Sequence, residues 1–160
     1  MNDTRGKRER LDSLRDMELF SECTWEELEA IDSLGTELSV KPGKSLTKEG
    51  QGGLEFFIVK QGRAAITRAG RALGSIEAGA FFGEVALLRD TLRTATVTAE
   101  TAMKVTLMHA GEFASLLSVA PSVRDKVTQA AKDRTDRTMR IAGQSVGIAR
   151  AIGRTVARTA

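Results

Sequence analysis

Glu84 and Arg93 are the residues around which chemistry can be built in this chain of 160 residues. They lie nine positions apart in Phe81–Ala99, which reads F-F-G-E-V-A-L-L-R-D-T-L-R-T-A-T-V-T-A. A glycine, a carboxylate, a short apolar turn and an arginine share a span too short to be a core element. Gly83 has no Cβ, so a ligand can approach its backbone closely. Glu84–Leu88 supplies strong helix formers for a single turn. The first N–H groups of such a turn, that of Ala86 included, lack an intrahelical partner and favour an anion. Arg93 follows the turn Arg89-Asp90-Thr91-Leu92 at the expected head of a strand, and its planar fork suits a phosphate. A carboxylate beside a phosphate site needs a donor, and a ribose hydroxyl supplies one. Taken singly, these residues also fit a surface ion pair and an ordinary turn glycine. As an ordered set they describe a ligand with one phosphate and one sugar hydroxyl a few ångströms apart, and a cyclic nucleotide meets that description.

Phe82-Gly83-Glu84-Val85-Ala86-Leu87-Leu88 and Arg93-Thr94-Ala95-Thr96-Val97 resemble the phosphate-binding cassette of cyclic-nucleotide-binding domains. Such domains occur in kinase regulatory subunits, gated ion channels and bacterial catabolite activators. The family pattern is F-G-E-x-A-L, a short variable turn, then R-[TSA]-A-[TS]-[VI], and the resemblance extends over roughly Leu11 to Lys132. It implies that Glu84 binds the ribose 2′-hydroxyl and Arg93 the cyclic phosphate, with the amides of Gly83 through Ala86 completing the cradle. The candidate nucleotide-binding set is Phe82, Gly83, Glu84, Val85, Ala86, Arg93, Thr94 and Ala95. Thr94 matches a position where cGMP-selective kinases of the family carry threonine, cAMP-selective ones alanine and catabolite activators serine. The expected ligand is cAMP, with cGMP the alternative. That expectation rests on the analogy of a cassette and a single-domain context that look bacterial.

Composition narrows the remaining classes. The length suits one domain with one sizeable core, and 41% apolar with 28% charged residues is a globular balance. Cys23 is the single cysteine and His109 the single histidine. An internal disulfide is therefore impossible, and a cupin-type metal site would need more ligands. Cys23 reads as structural. No nucleophile–base pair or metal cluster supports catalysis, so the expectation is a binding module with no catalytic residue, metal or cofactor. No segment has the length and apolarity of a signal peptide or a membrane span, and a cytoplasmic location is expected.

The elements that must position the cassette follow from periodicity. Residues 1–10 are polar and read as frayed, and Lys7–Asp16 as a short helix with Leu11 and Leu14 inward. Thr24-Trp25-Glu26-Glu27 is a capping-box signature, with Leu28, Ile31 and Leu34 at helical spacing and Gly35 at the helix end. Trp25 reads as a staple for this helix rather than as a platform for a purine. From Thr36 to Met108 the period becomes two. The expected strands are Glu37–Val40, Ser45–Thr47, Phe56–Lys60, Ala64–Arg68, Leu73–Ile76, Thr94–Ala99 and Lys104–Met108, broken by glycine turns. Gly50–Gly53 lacks the lysine and hydroxyl residue of a triphosphate loop and reads as a hairpin turn. The fold class is mainly β with flanking helices: an antiparallel β-roll or jelly-roll barrel with a short cassette helix and C-terminal hinge or lid helices. Gly111–Val119 is a helix with Phe113, Leu116 and Leu117 on one face. Pro121 breaks it, and Ser122 can cap the next helix, which carries Val123, Val127, Ala130 and Ala131.

By this reading residues 1–131 form the binding domain: helices at about 7–35, the β-roll at about 36–109 and helices from 111. Residues 132–160 form a basic tail, partly helical or flexible. The tail holds seven basic residues against two acidic ones, a surplus of five on an overall +3. Ile148, Ile152 and Val156 recur every four residues, as do Arg150, Arg154 and Arg158, which describes an amphipathic stretch with a basic face. A membrane surface, a partner helix, nucleic acid or plain solvation are all compatible with it. In the family, the helix after the roll closes over the purine; Arg134, Arg137 and Met139 are the candidates here. The expected function is a regulatory sensor coupling ligand binding to this helix, and through it to an effector or a second copy. The alternatives are a cGMP-selective piece of a larger enzyme or channel and a truncated transcription regulator. About 28 residues after the helix are too few for a helix-turn-helix, so no DNA-binding domain is expected.

Overall fold

The computed structural model describes the backbone of residues 2–153 and the side chains of residues 4–137. Helix α1 spans Asn2–Arg15 and α2 spans Trp25–Asp32, with a 3₁₀ turn at Glu18–Phe20 between them. Eight strands follow: β1 Thr36–Val40, β2 Ser45–Thr47, β3 Glu55–Gln61, β4 Arg63–Arg68, β5 Arg71–Glu77, β6 Phe81–Phe82, β7 Thr96–Ala99 and β8 Met103–His109. Helix α3, Glu84–Arg89, interrupts them after β6, and α4 (Ala110–Val119) and α5 (Pro121–Gly153) complete the order.

The strands form two antiparallel four-stranded sheets, ordered β1-β8-β3-β6 and β2-β7-β4-β5. Chain neighbours β2 and β3 therefore lie in different sheets. This interleaving makes a roll of two facing sheets rather than a closed barrel, in line with the expected class. Buried side chains gather in two clusters. One, built on α1, α2, α4 and α5, includes Leu11, Leu28, Phe113, Val123 and Val127 and takes Phe56, Ile58 and Met108 from the β1–β8–β3–β6 sheet. The other fills the space between the sheets, with Phe57, Val59, Ile76, Phe82, Val97 and Val105. The period-2 alternation of β3 sends Phe56 and Phe57 into opposite clusters.

Several details depart from the sequence reading. Helix α1 starts at Asn2 rather than near Lys7. An Arg5–Glu9 pair one turn apart and the Lys7–Glu29 and Arg10–Asp32 pairs to α2 tie its polar first half down. The capping box at Thr24 forms as expected, through reciprocal bonds with Glu27. Trp25 packs on the helical cluster under the Arg15 guanidinium, 4.6 Å from its ring centre. Gly50–Gly53 is no hairpin turn, because it crosses from one sheet to the other. Strand β7 starts at Thr96, leaving Arg93 and Thr94 in the preceding loop. Pro121 is itself the first residue of α5, where its missing N–H costs nothing. Ser122 lies one position inside, with its hydroxyl 3.9 Å from the buried Cys23 sulfur. Burial pushes the Cys23 thiol pKa up. Helix α5 continues unbroken through residue 131 to Gly153. The expectations placed on Met139, Ile148, Arg150, Ile152, Arg154, Val156 and Arg158 lie outside the described side chains.

Candidate functional site

Phe81 and Phe82 form the shortest strand, and it is what fixes the cassette. Neighbouring strand residues face opposite ways. Phe82 stacks on Phe57 in the inter-sheet core at 4.7 Å, and Phe81 lies 5.7 Å from Phe56 against the helical cluster. Two residues are too few for a period-2 signal, which is why this strand was missed in the sequence. At Gly83 the backbone turns left-handed, with φ +98°, and α3 begins. A Cβ here would stand 2.6 Å from the Glu55 carbonyl oxygen and 3.1 Å from Arg93 Nη1. Glycine is thus required both by conformation and by space.

Glu84 opens α3 and is fully buried. Arg134 of α5 donates from Nη1 to its Oε1 and, at 2.9 Å, from Nη2 to the Phe81 carbonyl oxygen. The guanidinium also lies over the Phe81 ring, 5.2 Å from its centre. Glu84 Oε2 is buried without a hydrogen-bond partner among the described residues. Burial raises the Glu84 pKa above its ordinary 4.5, opposed by the Arg134 charge, the backbone N–H of Glu84 and the Arg93 charge.

Arg93 is 6% exposed. Its Nη2 donates to the Glu55 carbonyl oxygen at 2.8 Å and to Glu55 Oε2 at 3.1 Å, and its Nη1 to the Gly83 carbonyl oxygen at 3.3 Å. Burial pulls the guanidinium pKa down, while Glu55 and then Glu84 push it up. The loop Gly50–Gly53, read in the sequence as a plain turn, is the cradle of this arginine. Gly50 N–H donates to the Arg93 carbonyl oxygen, and Arg93 N–H donates to that of Gln51, each at 2.9 Å. A Cβ on Gly53 would sit 2.5 Å from Arg93 Nε. Neither Glu55 nor Gly53 carries a motif that would have revealed these roles; their distance in sequence from Arg93 hides them.

One cavity brings together Phe82 through Ala86 and Arg93 through Ala95, so all eight candidate residues line it. The inner face of the β2–β7–β4–β5 sheet closes the other side with Thr47, Ile66, Ile76 and Val97, and Arg134 reaches the cavity from α5. Of the three residues considered as a closing group, Arg134 is therefore at the site. Arg137 forms no described contact there, and the Met139 side chain lies outside the described residues. His109 is exposed and caps α4 through Glu112, away from this cavity. Among the described residues no three His, Cys, Asp or Glu side chains converge on a metal position, and no helix is long and apolar enough to cross a membrane.

Residues 37–119, more than half of the chain, match the cyclic nucleotide-binding domain family, and the chain belongs to that family. A cAMP-dependent protein kinase regulatory subunit of Yarrowia lipolytica is 36% identical over 107 residues, covering 65% of this chain and 28% of that protein. A cGMP-dependent protein kinase of Toxoplasma gondii is 36% identical over 87 residues, covering 54% and 8%. The acetyltransferase Pat of Mycolicibacterium smegmatis is 30% identical over 122 residues, covering 74% and 36%. The chain thus spans well under half the length of each of these relatives. The kinase relatives are fungal and protozoan and leave the expectation of a bacterial origin unsupported, while the Pat acetyltransferase is mycobacterial. Among solved structures, PKAR CBD2 with Sp-2Cl-cAMPS bound superposes with a TM-score of 0.76 at 22% identity, covering 88% of this chain and 93% of that one. The regulatory domain of Toxoplasma gondii PKA with cAMP gives 0.70 at 22%, covering 81% and 51%. These likenesses show the fold.

Proposed function

We propose that this cavity binds a 3′,5′-cyclic purine nucleotide, cAMP in the first instance, and that the bound ligand sets the position of α5. Glu84 Oε2 carries the reading. A fully buried carboxylate oxygen with no partner is costly to keep, and this one sits in a cavity whose other polar groups suit a phosphate. A ribose 2′-hydroxyl supplies the missing donor. The amides opening α3 and the remaining N–H groups of Arg93 then face the cyclic phosphate, and the apolar sheet face receives the base.

Coupling follows from the division of labour on one carboxylate. Oε1 is held by Arg134 of α5 and Oε2 is left for the sugar. A ligand that donates to Oε2 favours the arrangement in which α5 is docked, by as much as its affinity differs between docked and undocked states. The partner that reads this position is an effector, attached or separate, with a second copy of the chain as the alternative. Calorimetric titration of the chain with cAMP tests the reading. One-to-one binding is expected, with 5′-AMP, whose phosphate is an open dianion, far weaker. Absence of binding to cAMP and cGMP alike at millimolar ligand would refute it.

A further inference from the structure

The two sheets end in four edge strands, and three of them are blunted. β6 has two residues and β2 has three, the latter with a break in its register against β7. β5 is longer, but a bulge interrupts it. Ile66 and Thr67 of β4 stand opposite Gly74 and Ala72, which leaves Leu73 unpaired. Shortness and bulges keep a sheet edge from pairing with another chain. β1 has neither. Its five residues, T-E-L-S-V, run in unbroken register against β8 and include no lysine and no proline. The first four are all exposed. Among the described residues, no backbone hydrogen bond outside the β1–β8 ladder involves residues 36–40.

A large apolar side chain goes with this open edge. Leu38 pairs with Val105, which is fully buried between the sheets, yet Leu38 itself is 38% exposed. Strand alternation puts Leu38 and Val40 on the inter-sheet face, and Glu37, Ser39 and the following Lys41 on the other. Neither Glu37 nor Lys41 joins an ion pair among the described residues. We propose that β1 is a dimerisation edge, taking β1 of a second copy of this chain antiparallel about a two-fold axis at Leu38. Leu38 then meets its own counterpart, Thr36 faces Val40, and Glu37 faces Ser39. In this register Glu37 of each copy lies diagonal to Lys41 of the other, within reach of long side chains. The strand is thus complementary to itself in apolar contact and in charge, as a two-fold interface requires. Two four-stranded sheets become one of eight, and the paired leucines close the open margin of each inter-sheet core. No residue lining the nucleotide cavity belongs to β1, so the contact does not rest on the nucleotide reading.

Sedimentation equilibrium of the full chain without ligand tests the proposal, with hydrogen exchange followed on residues 36–40. A reversible monomer–dimer equilibrium is expected, and the β1 amides should gain protection as concentration rises. Lys41→Glu sets like charges on both diagonals and should raise the dimer dissociation constant roughly 4- to several-hundred-fold, since two pairs change at once. Adding Glu37→Lys makes the charges opposite again and should recover most of that loss. Leu38→Lys puts two ammonium groups face to face and should leave the chain monomeric. All three side chains are exposed, so the variants should keep the wild-type circular dichroism and report on association rather than folding. A wild-type chain that stays monomeric at millimolar concentration would overturn the proposal. So would a dimer indifferent to Leu38→Lys, or one that Lys41→Glu weakens and the double variant does not recover; either would put the contact on another surface, the basic C-terminal helix included.

Discussion

The two arginines that meet at this cavity are held in opposite ways. Arg93 is sealed in a loop, 5% exposed at its side chain, with its main chain pinned by Gly50 and Gln51 and its fork by Glu55 and Gly83. Arg134 comes from a helix 50 positions beyond Glu84, is 38% exposed, and grips one carboxylate oxygen and one carbonyl. The first is built into the site and cannot leave without unmaking it. The second reaches the site from a helix and keeps solvent access, so it can part from Glu84 without unmaking the site, although its withdrawal leaves a buried carboxylate to be satisfied by another donor. Affinity should therefore reside with Arg93, and coupling to α5 with Arg134.

Substitution at Arg93 should have the largest effect. Removing one member of a buried, hydrogen-bonded charge pair costs on the order of 2–5 kcal/mol. Arg93→Ala is expected to weaken cAMP binding by roughly 30- to several-thousand-fold. A loss under about threefold by calorimetry would erase the contrast between the two arginines. Gly53→Ala should come next. Its methyl would drive into Nε, and an overpacking cost of about 1–3 kcal/mol corresponds to roughly a 5- to 150-fold loss. Unchanged affinity there would mean that the Gly50–Gly53 loop does not seat Arg93.

Arg134→Ala sharpens the comparison from the other side. Affinity should fall less than for Arg93→Ala, yet ligand-dependent protection of α5 from hydrogen exchange should disappear. Persistence of that protection would move the coupling to another contact. The smallest effect concerns pH. The raised Glu84 pKa means that the folded chain holds this proton more tightly than the unfolded chain. Stability of the ligand-free protein should then fall as pH rises from about 4.5 through the raised value. Glu84→Gln has no such term, so its melting temperature should gain on the wild type across that interval. A constant offset would show that Glu84 does not titrate differently on folding.

How far the sequence foretold this arrangement depends on range. The cassette was legible because Gly83, Glu84 and Arg93 lie within one short stretch and each has a local physical signature. Seven strands were legible from alternation and glycine punctuation; β6 was not, since Phe81 and Phe82 act through long-range partners, Phe56 and Phe57. Glu55 and the Gly50–Gly53 loop matter because the β2–β3 crossover between sheets delivers them to Arg93, and a hairpin reading pointed them elsewhere. Arg134 was one of three candidates, and docking of α5 on Phe81 and Glu84 was needed to choose it.

The central claim is that the free oxygen of Glu84 awaits a sugar hydroxyl. The most direct measurement compares cAMP with 2′-deoxy-cAMP on the wild-type chain and on Glu84→Ala. Hydrogen bonds to charged groups contribute about 1.5–3 kcal/mol, so the wild type should prefer the ribose form by roughly 10- to 150-fold, and the variant should bind the two within about 2-fold. An undiminished ribose preference in the variant would contradict the account.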